Sequence, residues 1–455
     1  MFFHARSKLS PLLATGILLA LTLGWVNSPA RADHPVYPHP DQWLIQAARQ
    51  AQMSGVVAAS HGAAQSRNLT LVSSVALPGF NADVWGHKGF AYVGTWGFLY
   101  PDFCPATGIR IIDLKHKKDP VLVGAVATIP GTTQEDVEVV RIETKFFHGD
   151  LLVAGIQSCD GFPDAPMGID LWDVTDPYNP HHLAFWPSGG PGGVHELNLF
   201  RRGNRAYVAA AVPFSDFVSD QGDFRLVDVT DPTHPMQVSE WGAISDGGLI
   251  PGAGQDLFAH SATANKDGDM AILSYWDAGA IFLDISDPTA PTFVGRTVYP
   301  ADADGDTHSI ALARGDHLLL TADEDFSPAF GPPPPAADAN WGFLRIWDVK
   351  DPAVPAEIGR FGTPNSLSGA TDGFFSIHNP LAQGGKAYLS WYSDGVRVVD
   401  ISKPSAPHEV ASFVPPAAPD PFGFFPPVPL VWGVHIDRGL ILLSDINAGL
   451  YVLKP

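Results

Sequence analysis

The sequence is poor in cysteine, in basic residues and in long apolar segments. Its 455 residues include two cysteines, and 27 Lys and Arg stand against 48 Asp and Glu, a formal net charge of −21. A chain this acidic has no general affinity for nucleic acids or anionic membranes. It also lacks a glycine-rich phosphate loop, a Gly-x-Ser-x-Gly motif and a Cys-x-x-Cys pair. The sequence therefore gives no support to the enzyme classes that these motifs define.

The first residues have the pattern of an export signal. Arg6 and Lys8 precede an apolar stretch at residues 12–25, and Ala30-Arg31-Ala32 fits the small-x-small cleavage pattern. The stretch is short for a membrane span, and no second one follows it. We therefore predict a signal peptide at residues 1–32 and a mature protein that is periplasmic or extracellular, without an integral membrane segment.

The two cysteines lie at equivalent places. Cys104 and Cys159 lie in predicted loops. Each loop comes just before the repeated strand described next, in the first and second repeats. In an oxidising compartment two such loops could hold a disulfide bond, and two free thiols are the alternative.

A β-branched run that ends in Asp, with a Pro seven residues later, occurs six times. The pairs are Asp113 and Pro120, Asp173 and Pro180, Asp228 and Pro235, Asp284 and Pro291, Asp348 and Pro355, and Asp400 and Pro407. A fixed offset repeated six times indicates one structural unit used repeatedly. We expect the Asp to order the turn by bonding to the backbone, and the prolines to fix φ there.

Each repeat contains four short strand patterns, which predicts an all-β fold. The chain opens with an isolated strand near residues 69–77, and the seventh repeat lacks its fourth strand. Pairing the two would close a ring and protect both edges. We therefore predict a seven-bladed β-propeller of four-stranded blades at residues 69–455, closed by the N-terminal strand joining the last blade. Residues 33–68 form an extension with a short helix at 41–52 and a linker.

The strand-plus-Asp runs, such as Ile109-Arg-Ile-Ile-Asp113 and Val396-Arg-Val-Val-Asp400, resemble LVIVD repeats. The resemblance covers about residues 69–455. It implies a propeller in an exported or surface-associated microbial protein, and it implies no defined activity.

Aligning the repeats on their first strand places an acid or an imidazole at the start of each one. The positions are Asp83, Asp136, His195, His260, His308, His378 and His435. Because first strands line the channel of a propeller, these side chains are predicted to form a ring at one channel mouth.

Such a ring favours a transition-metal site. Imidazole is a strong ligand for iron, copper and zinc, so the five histidines are candidate ligands. Asp83 and Asp136 are candidate catalytic residues, as ligands, bases or groups that orient the ligands. The arrangement resembles in geometry, though not in motifs, the four-His iron centre of carotenoid-cleavage oxygenases and the site of methanethiol oxidases. The alternatives are histidines that only hydrogen-bond the backbone, and a metal-free pocket.

Enlarged loops between the second and third strands predict an acidic, aromatic-edged rim on the same face, suited to a small-molecule or envelope ligand. A weaker pattern, Asp302, Asp304 and Asp306, resembles half of a calcium loop; a polar turn is the alternative. Two functions follow from these features. One is an exported metalloenzyme of the oxidoreductase or hydrolase type, and the other is a non-catalytic envelope propeller that binds a partner.

Overall fold

Each repeat folds as a four-stranded antiparallel sheet, and seven such sheets form a ring. The computed structural model describes residues 39–54, 63–99, 101–160, 164–219, 221–250, 256–300, 305–330 and 340–455. The predicted signal peptide lies outside these residues. The protein is a seven-bladed β-propeller, as the sequence predicts.

The inner half of each blade is a hairpin of two strands. From blade 1 to blade 7, the innermost strands are Asn81–His87, Val137–Glu143, Leu197–Arg202, Ala259–Ala264, Thr307–Ala313, Pro380–Gln383 and Val431–Asp437. The second strands are Phe90–Thr95, His148–Ser158, Arg205–Ala211, Met270–Tyr275, Leu318–Asp323, Lys386–Trp391 and Leu440–Asp445. A short strand, Thr132–Thr133, pairs with the end of the second strand of blade 2.

The outer half of each blade carries the repeated sequence frame. The third strands are Ile109–Asp113, Gly168–Asp173, Phe224–Asp228, Gly279–Asp284, Leu344–Asp348, Gly395–Asp400 and Gly449–Lys454. The outermost strands are Val121–Val126, His181–Pro187, Met236–Trp241, Thr292–Arg296, Ala356–Phe361, His408–Val414 and, for blade 7, Thr70–Val75.

The repeated Asp closes the third strand of six blades. In every case its carboxylate accepts a hydrogen bond from the backbone N–H two residues later, at 2.7–3.1 Å. The predicted role of this residue in the turn is confirmed, because the side chain satisfies a backbone donor that has left the sheet.

The ring is closed by strands from the two ends of the sequence. Thr70–Val75 pairs antiparallel with Gly449–Lys454, from Thr70 opposite Lys454 to Val75 opposite Leu450. The isolated strand of the sequence is therefore the outermost strand of blade 7, which confirms the predicted closure.

The extension before the propeller contains a helix, Gln42–Ser54, and a strand, Gln65–Arg67. The strand lies within the region predicted as a linker. It pairs with the outermost strand of blade 6, whose edge it covers. The remaining helices are one-turn segments: Ser215–Val218, Trp276–Ala278, Ser327–Phe330 and Pro364–Ser368. Across the described residues, no helix has the length and apolar content needed to cross a membrane.

The N-terminal helix packs on the face where the innermost strands begin. Leu44, Ala47 and Ala48 are fully buried in one apolar cluster with Trp96 and Trp432. The loops of this face are thereby covered, and the helix brings the residue that precedes it, Asp41, to the axis of the ring.

Candidate metal centre

Among the described residues, four imidazoles from consecutive blades meet near the axis. They belong to His195, His260, His308 and His378, here called the imidazole cluster, and all four are 0% exposed. The centroids of successive rings are 4.2, 3.8 and 4.2 Å apart. The Nε2 atoms of His195 and His260 lie 2.8 Å from each other.

Irregular pairing at the start of the inner strands places these side chains. In blade 4, Ala259 pairs with Tyr275 and Ser261 with Ser274, so His260 is the extra residue of a bulge. His308 has the same place between Thr307 and Ser309 in blade 5. A bulge re-aims a side chain that regular pleating would direct elsewhere, and bulges are common beside functional sites.

The same position in the other blades is not the one that the sequence alignment assigned. Asn81 pairs with Thr95 in blade 1 and Val431 pairs with Asp445 in blade 7, as Ala259 pairs with Tyr275 in blade 4. The residues that follow these pairs, Ala82 and Trp432, therefore occupy the position of His260. In blade 2 the carbonyl O of Asp136 accepts a hydrogen bond from Gly155 N–H, just as the carbonyl O of Glu196 accepts one from Ala211 N–H in blade 3. Asp136 therefore corresponds to Glu196, and Glu135 corresponds to His195.

The predicted single ring therefore divides into two levels and one outlying residue. Asp83 and Asp136 lie one position further along their strands than the imidazole cluster, and they line a cavity below it. His435 lies three positions beyond Trp432. It stacks on Trp85 with centroids 4.2 Å apart, and its Nδ1 accepts a hydrogen bond from Gly86 N–H at 3.0 Å. The structure does not bring His435 into the cluster.

Asp41 reaches the cluster from outside the repeats. Its Oδ1 lies 3.9 Å from His195 Nε2 and 3.8 Å from His260 Nε2. Its Oδ2 accepts a hydrogen bond from the indole of Trp96 at 2.8 Å. No repeat alignment could have found this residue, since it precedes the first strand.

Three glutamates surround the imidazoles. Glu135 Oε2 is 3.1 Å from His195 Nδ1, Glu196 Oε1 is 3.9 Å from His260 Nδ1, and Glu324 Oε2 is 3.9 Å from His308 Nε2. Glu324 also accepts a hydrogen bond from the hydroxyl of Tyr392. Two of these glutamates could have been noticed in the sequence, because Glu135 directly precedes Asp136 and Glu196 directly follows His195.

Burial decides the charge of the cluster. It lowers the pKa of all four histidines, for His378 to about 3, so the imidazoles are neutral at pH 7. Burial and neighbouring carboxylates raise the pKa of Glu135 and Glu196. Burial would also raise the pKa of Asp41, but contact with His260 and the nearby His195 lowers it below its usual range.

Several buried polar atoms of the cluster are unsatisfied among the described residues, whereas the Nε2 atoms of His195 and His260 lie at hydrogen-bond distance from each other. Within the described part of the chain, no hydrogen-bond partner is present for His308 Nδ1, His308 Nε2, His378 Nε2, His260 Nδ1, Asp41 Oδ1 or Glu196 Oε1. Three groups of three ligands have donor atoms within 4.8 Å of one another: Asp41, His195 and His260; Glu196, His260 and His308; and His308, Glu324 and His378. Neutral imidazoles with free lone pairs beside one carboxylate are the ligand set that zinc, copper and iron prefer.

The outer ring nitrogens of two histidines have partners. His378 Nδ1 is 2.8 Å from the carbonyl O of Trp432, and His195 Nδ1 is 3.0 Å from Gln157 Oε1. Such contacts fix the orientation of a ring and leave its other nitrogen directed at the axis.

A cavity of about 140 Å³ lies on the other side of the cluster, within the channel. Its walls include the residues that follow the four histidines, namely Glu196, Ser261, Ser309 and Asn379, together with Asp83, Asp136, Glu138, Trp85 and His435. The channel therefore approaches the imidazoles from the face opposite the N-terminal helix.

Some aromatic side chains of the predicted rim are buried, whereas Phe217 in the enlarged loop of blade 3 is 69% exposed. Trp96, Phe98 and Phe326 are buried and share one cluster with the N-terminal helix. Several of the loop acids serve local structure: Asp216 accepts from the backbone N–H of Ile244 at 2.6 Å, and Asp323 pairs with Arg345.

The predicted disulfide bond and the weak calcium pattern remain to be placed. Cys104 and Cys159 form a disulfide bond between the loops of blades 1 and 2, with Cα atoms 6.2 Å apart. Of the weak calcium pattern, Asp302 and Asp304 fall outside the described residues. Asp306 is described and has a positive φ of 43°.

Comparisons with known proteins agree with the fold. The LVIVD repeat family matches residues 216–241, 267–298 and 382–414, which fall in blades 3, 4 and 6. No curated protein matches the sequence. Raptor from Chaetomium thermophilum is similar in structure, with 13% identity and a TM-score of 0.53 over 85% of this chain. This chain spans only 29% of the length of Raptor.

The computationally designed Ika8 protein is also similar, with 10% identity and a TM-score of 0.47 over 85% of this chain and 99% of that one. The match to Raptor, at 13% identity, supports the fold and implies no activity. The protein is thus a seven-bladed β-propeller in which segments of blades 3, 4 and 6 match the LVIVD repeat.

Proposed function

We propose that the imidazole cluster binds one transition-metal ion and that the protein is an exported metalloenzyme of the oxidoreductase or hydrolase type. The observation that supports this most is at His308, whose two ring nitrogens are both buried and unsatisfied among the described residues. A buried polar group without a partner costs about 1–3 kcal/mol. A bound ion would satisfy several of these groups at once.

The geometry favours a centre built on His195 and His260. Their Nε2 atoms are 2.8 Å apart, close to the spacing of about 3 Å between ligands at right angles around an ion with bonds of about 2.1 Å. Asp41 Oδ1 lies within 4 Å of both nitrogens and would need only a small movement to join them. His308 and His378 complete a set with more donors than one ion needs, so one position can be left for a substrate.

A bound transition metal would supply a Lewis acid, and for iron or copper also a redox centre. The chain itself supplies the rest. The N-terminal helix and its aromatic neighbours exclude water from one side, and Gln157 and Glu135 hold the outer nitrogen of His195. The acid-lined cavity provides an approach from the other side.

Export is part of the proposal and has separate support. The disulfide bond between Cys104 and Cys159 is typical of proteins that fold in oxidising compartments, such as the periplasm or the extracellular space. The N-terminal sequence pattern agrees with this.

A non-catalytic envelope propeller is the second candidate. The hydrogen bond of His435 to Gly86 and that of His378 to Trp432 are contacts that a purely structural histidine would make. In this case the imidazole cluster would be a packed polar core, and the propeller would act by binding a partner.

Elemental analysis of the purified mature protein decides between the two. We expect one equivalent of iron, copper or zinc, and its loss in the His260→Ala/His308→Ala double variant. The His435→Ala variant is the matched control, because it removes a channel-facing imidazole outside the cluster and should keep the metal. Absence of metal from the wild type, with unchanged stability in chelator, would favour the envelope propeller.

A further inference from the structure

The axial cavity has a different chemistry from the imidazole cluster above it. Its acidic side chains are Asp83, Asp136, Glu138 and Glu196, contributed by three adjacent blades. Three of them are nearly buried: Asp136 is 9% exposed, and Glu138 and Glu196 are each 7% exposed. Within the part of the chain that the structure describes, no Lys or Arg lines this cavity.

Backbone and amide groups already hold one oxygen of most of these carboxyls. Asp136 Oδ2 accepts from Leu197 N–H at 2.7 Å, and Glu138 Oε2 accepts from Leu199 N–H at 2.6 Å. Asp83 Oδ1 accepts from the side-chain amide of Asn379 at 2.8 Å. These side chains are therefore fixed at the cavity wall, and Glu138 is held at both oxygens, because its Oε1 accepts from the side-chain amide of Asn198 at 3.1 Å.

Two acceptors at the cavity wall are unsatisfied. Glu196 Oε1 and Asn379 Oδ1 are buried and have no hydrogen-bond partner among the described residues. Glu196 is the stronger indication, because it is 7% exposed and a buried carboxyl oxygen without a hydrogen-bond partner is costly.

From these contacts we propose that the axial cavity binds a compact cation, either a hydrated divalent metal ion or a small primary ammonium group. Oxygen is the ligand that Ca²⁺, Mg²⁺ and Mn²⁺ prefer, and carboxylates bind ammonium groups by charge-assisted hydrogen bonds. A water occupies about 30 Å³ of the liquid, so a cavity of about 140 Å³ holds a partly hydrated ion or a molecule of a few heavy atoms. Anions are disfavoured, because the wall carries four carboxyl groups and, among the described residues, no Lys or Arg.

The site does not depend on a metal at the imidazoles. Three groups of described residues at the imidazole cluster could hold a metal ion. Of the cavity acids, these groups include Glu196 and neither Asp83 nor Asp136. Substituting Asp83 and Asp136 therefore tests the cavity, and substituting His260 tests the cluster.

Luminescence of Tb³⁺ provides the test, because Trp85 lines the cavity and can transfer excitation to a nearby lanthanide. We expect the mature protein to bind Tb³⁺ saturably at one site, with emission on tryptophan excitation. The Asp83→Asn/Asp136→Asn variant should bind at least about tenfold more weakly, and the Asp83→Asn variant serves if the double variant does not fold. The His260→Ala variant should keep the emission.

Glu143→Gln is the matched control, since Glu143 ends the same inner strand as Asp136 and its side chain is exposed. Displacement of Tb³⁺ by Ca²⁺ or Mn²⁺ would assign the site to a metal ion, and displacement by methylammonium would assign it to an organic cation. Emission that does not saturate in the wild type, or that is equal in the wild type and the Asn variants, would overturn the proposal.

Discussion

Replacing His308 by leucine should have opposite effects on stability with and without metal. His308 is fully buried, and neither ring nitrogen has a hydrogen-bond partner among the described residues. In the metal-free protein it therefore contributes two unsatisfied polar groups. In the metal-bound protein the same atoms are ligands or lie beside the ion.

The magnitude follows from opposing contributions. Two unsatisfied groups at about 1–3 kcal/mol each cost about 2–6 kcal/mol, and lost packing against the neighbouring rings of His260 and His378 offsets part of the gain. We expect the metal-free His308→Leu variant to be about 2 kcal/mol more stable than the metal-free wild type. With metal at a thousandfold excess over its dissociation constant, the wild type gains about 4 kcal/mol that the variant largely lacks.

The assay is denaturant unfolding of both proteins after chelator treatment and again after metal is restored. His435→Leu is the control, because His435 accepts a backbone hydrogen bond and its loss should destabilise the protein in both states. A His308→Leu variant that is less stable than the wild type in both states would refute the reasoning, since His308 would then have a partner and no metal would be needed.

Three further outcomes are expected. Burial raises the pKa of Asp223 from 3.8 to about 7, so the folded state binds a proton more tightly than the unfolded state and this stabilisation is lost as pH rises through 7. Between pH 5 and pH 8 the free energy of unfolding should fall by about 2–3 kcal/mol more in the wild type than in Asp223→Asn, measured by denaturant titration; equal slopes would contradict the shift. Replacing Cys104 and Cys159 by serine opens a crosslink across 55 residues, which should lower the free energy of unfolding by about 4 kcal/mol, with the reduced wild type behaving alike. Asp41→Asn should weaken metal binding about tenfold by competition titration, and unchanged affinity would exclude Asp41 as a ligand.

The fold could be predicted from the sequence because its main signal is repeated. Each Asp that ends a third strand makes the same hydrogen bond to the same turn, so six copies support one another. The closure could be predicted because an unpaired strand at residues 69–77 and a missing strand in the last repeat have one solution. Both signals are local sequence patterns, and together they specify the propeller.

The site could be predicted only in part, because its decisive features are not local. The four histidines of the imidazole cluster were visible as strand-initial residues, but the pairing of the inner strands shifts Ala82 and Trp432 into the positions assigned to Asp83 and His435. A sequence alignment contains no record of such a shift. Asp41 belongs to no repeat, and only the packing of the N-terminal helix brings it to His195. The burial of Trp96, Phe98 and Phe326 was not predicted either, since aromatic loop residues look alike whether they edge a pocket or pack in a core.

The pairing of Thr70–Val75 with Gly449–Lys454 has a consequence for biogenesis. Residues separated by most of the sequence must meet before the circle is complete, so a polypeptide that is still being synthesised presents an open sheet edge throughout. Such an edge invites association with other chains, and long-range contacts of this kind form slowly. Truncation by even the last few residues should therefore impair assembly of the entire ring rather than fray one blade.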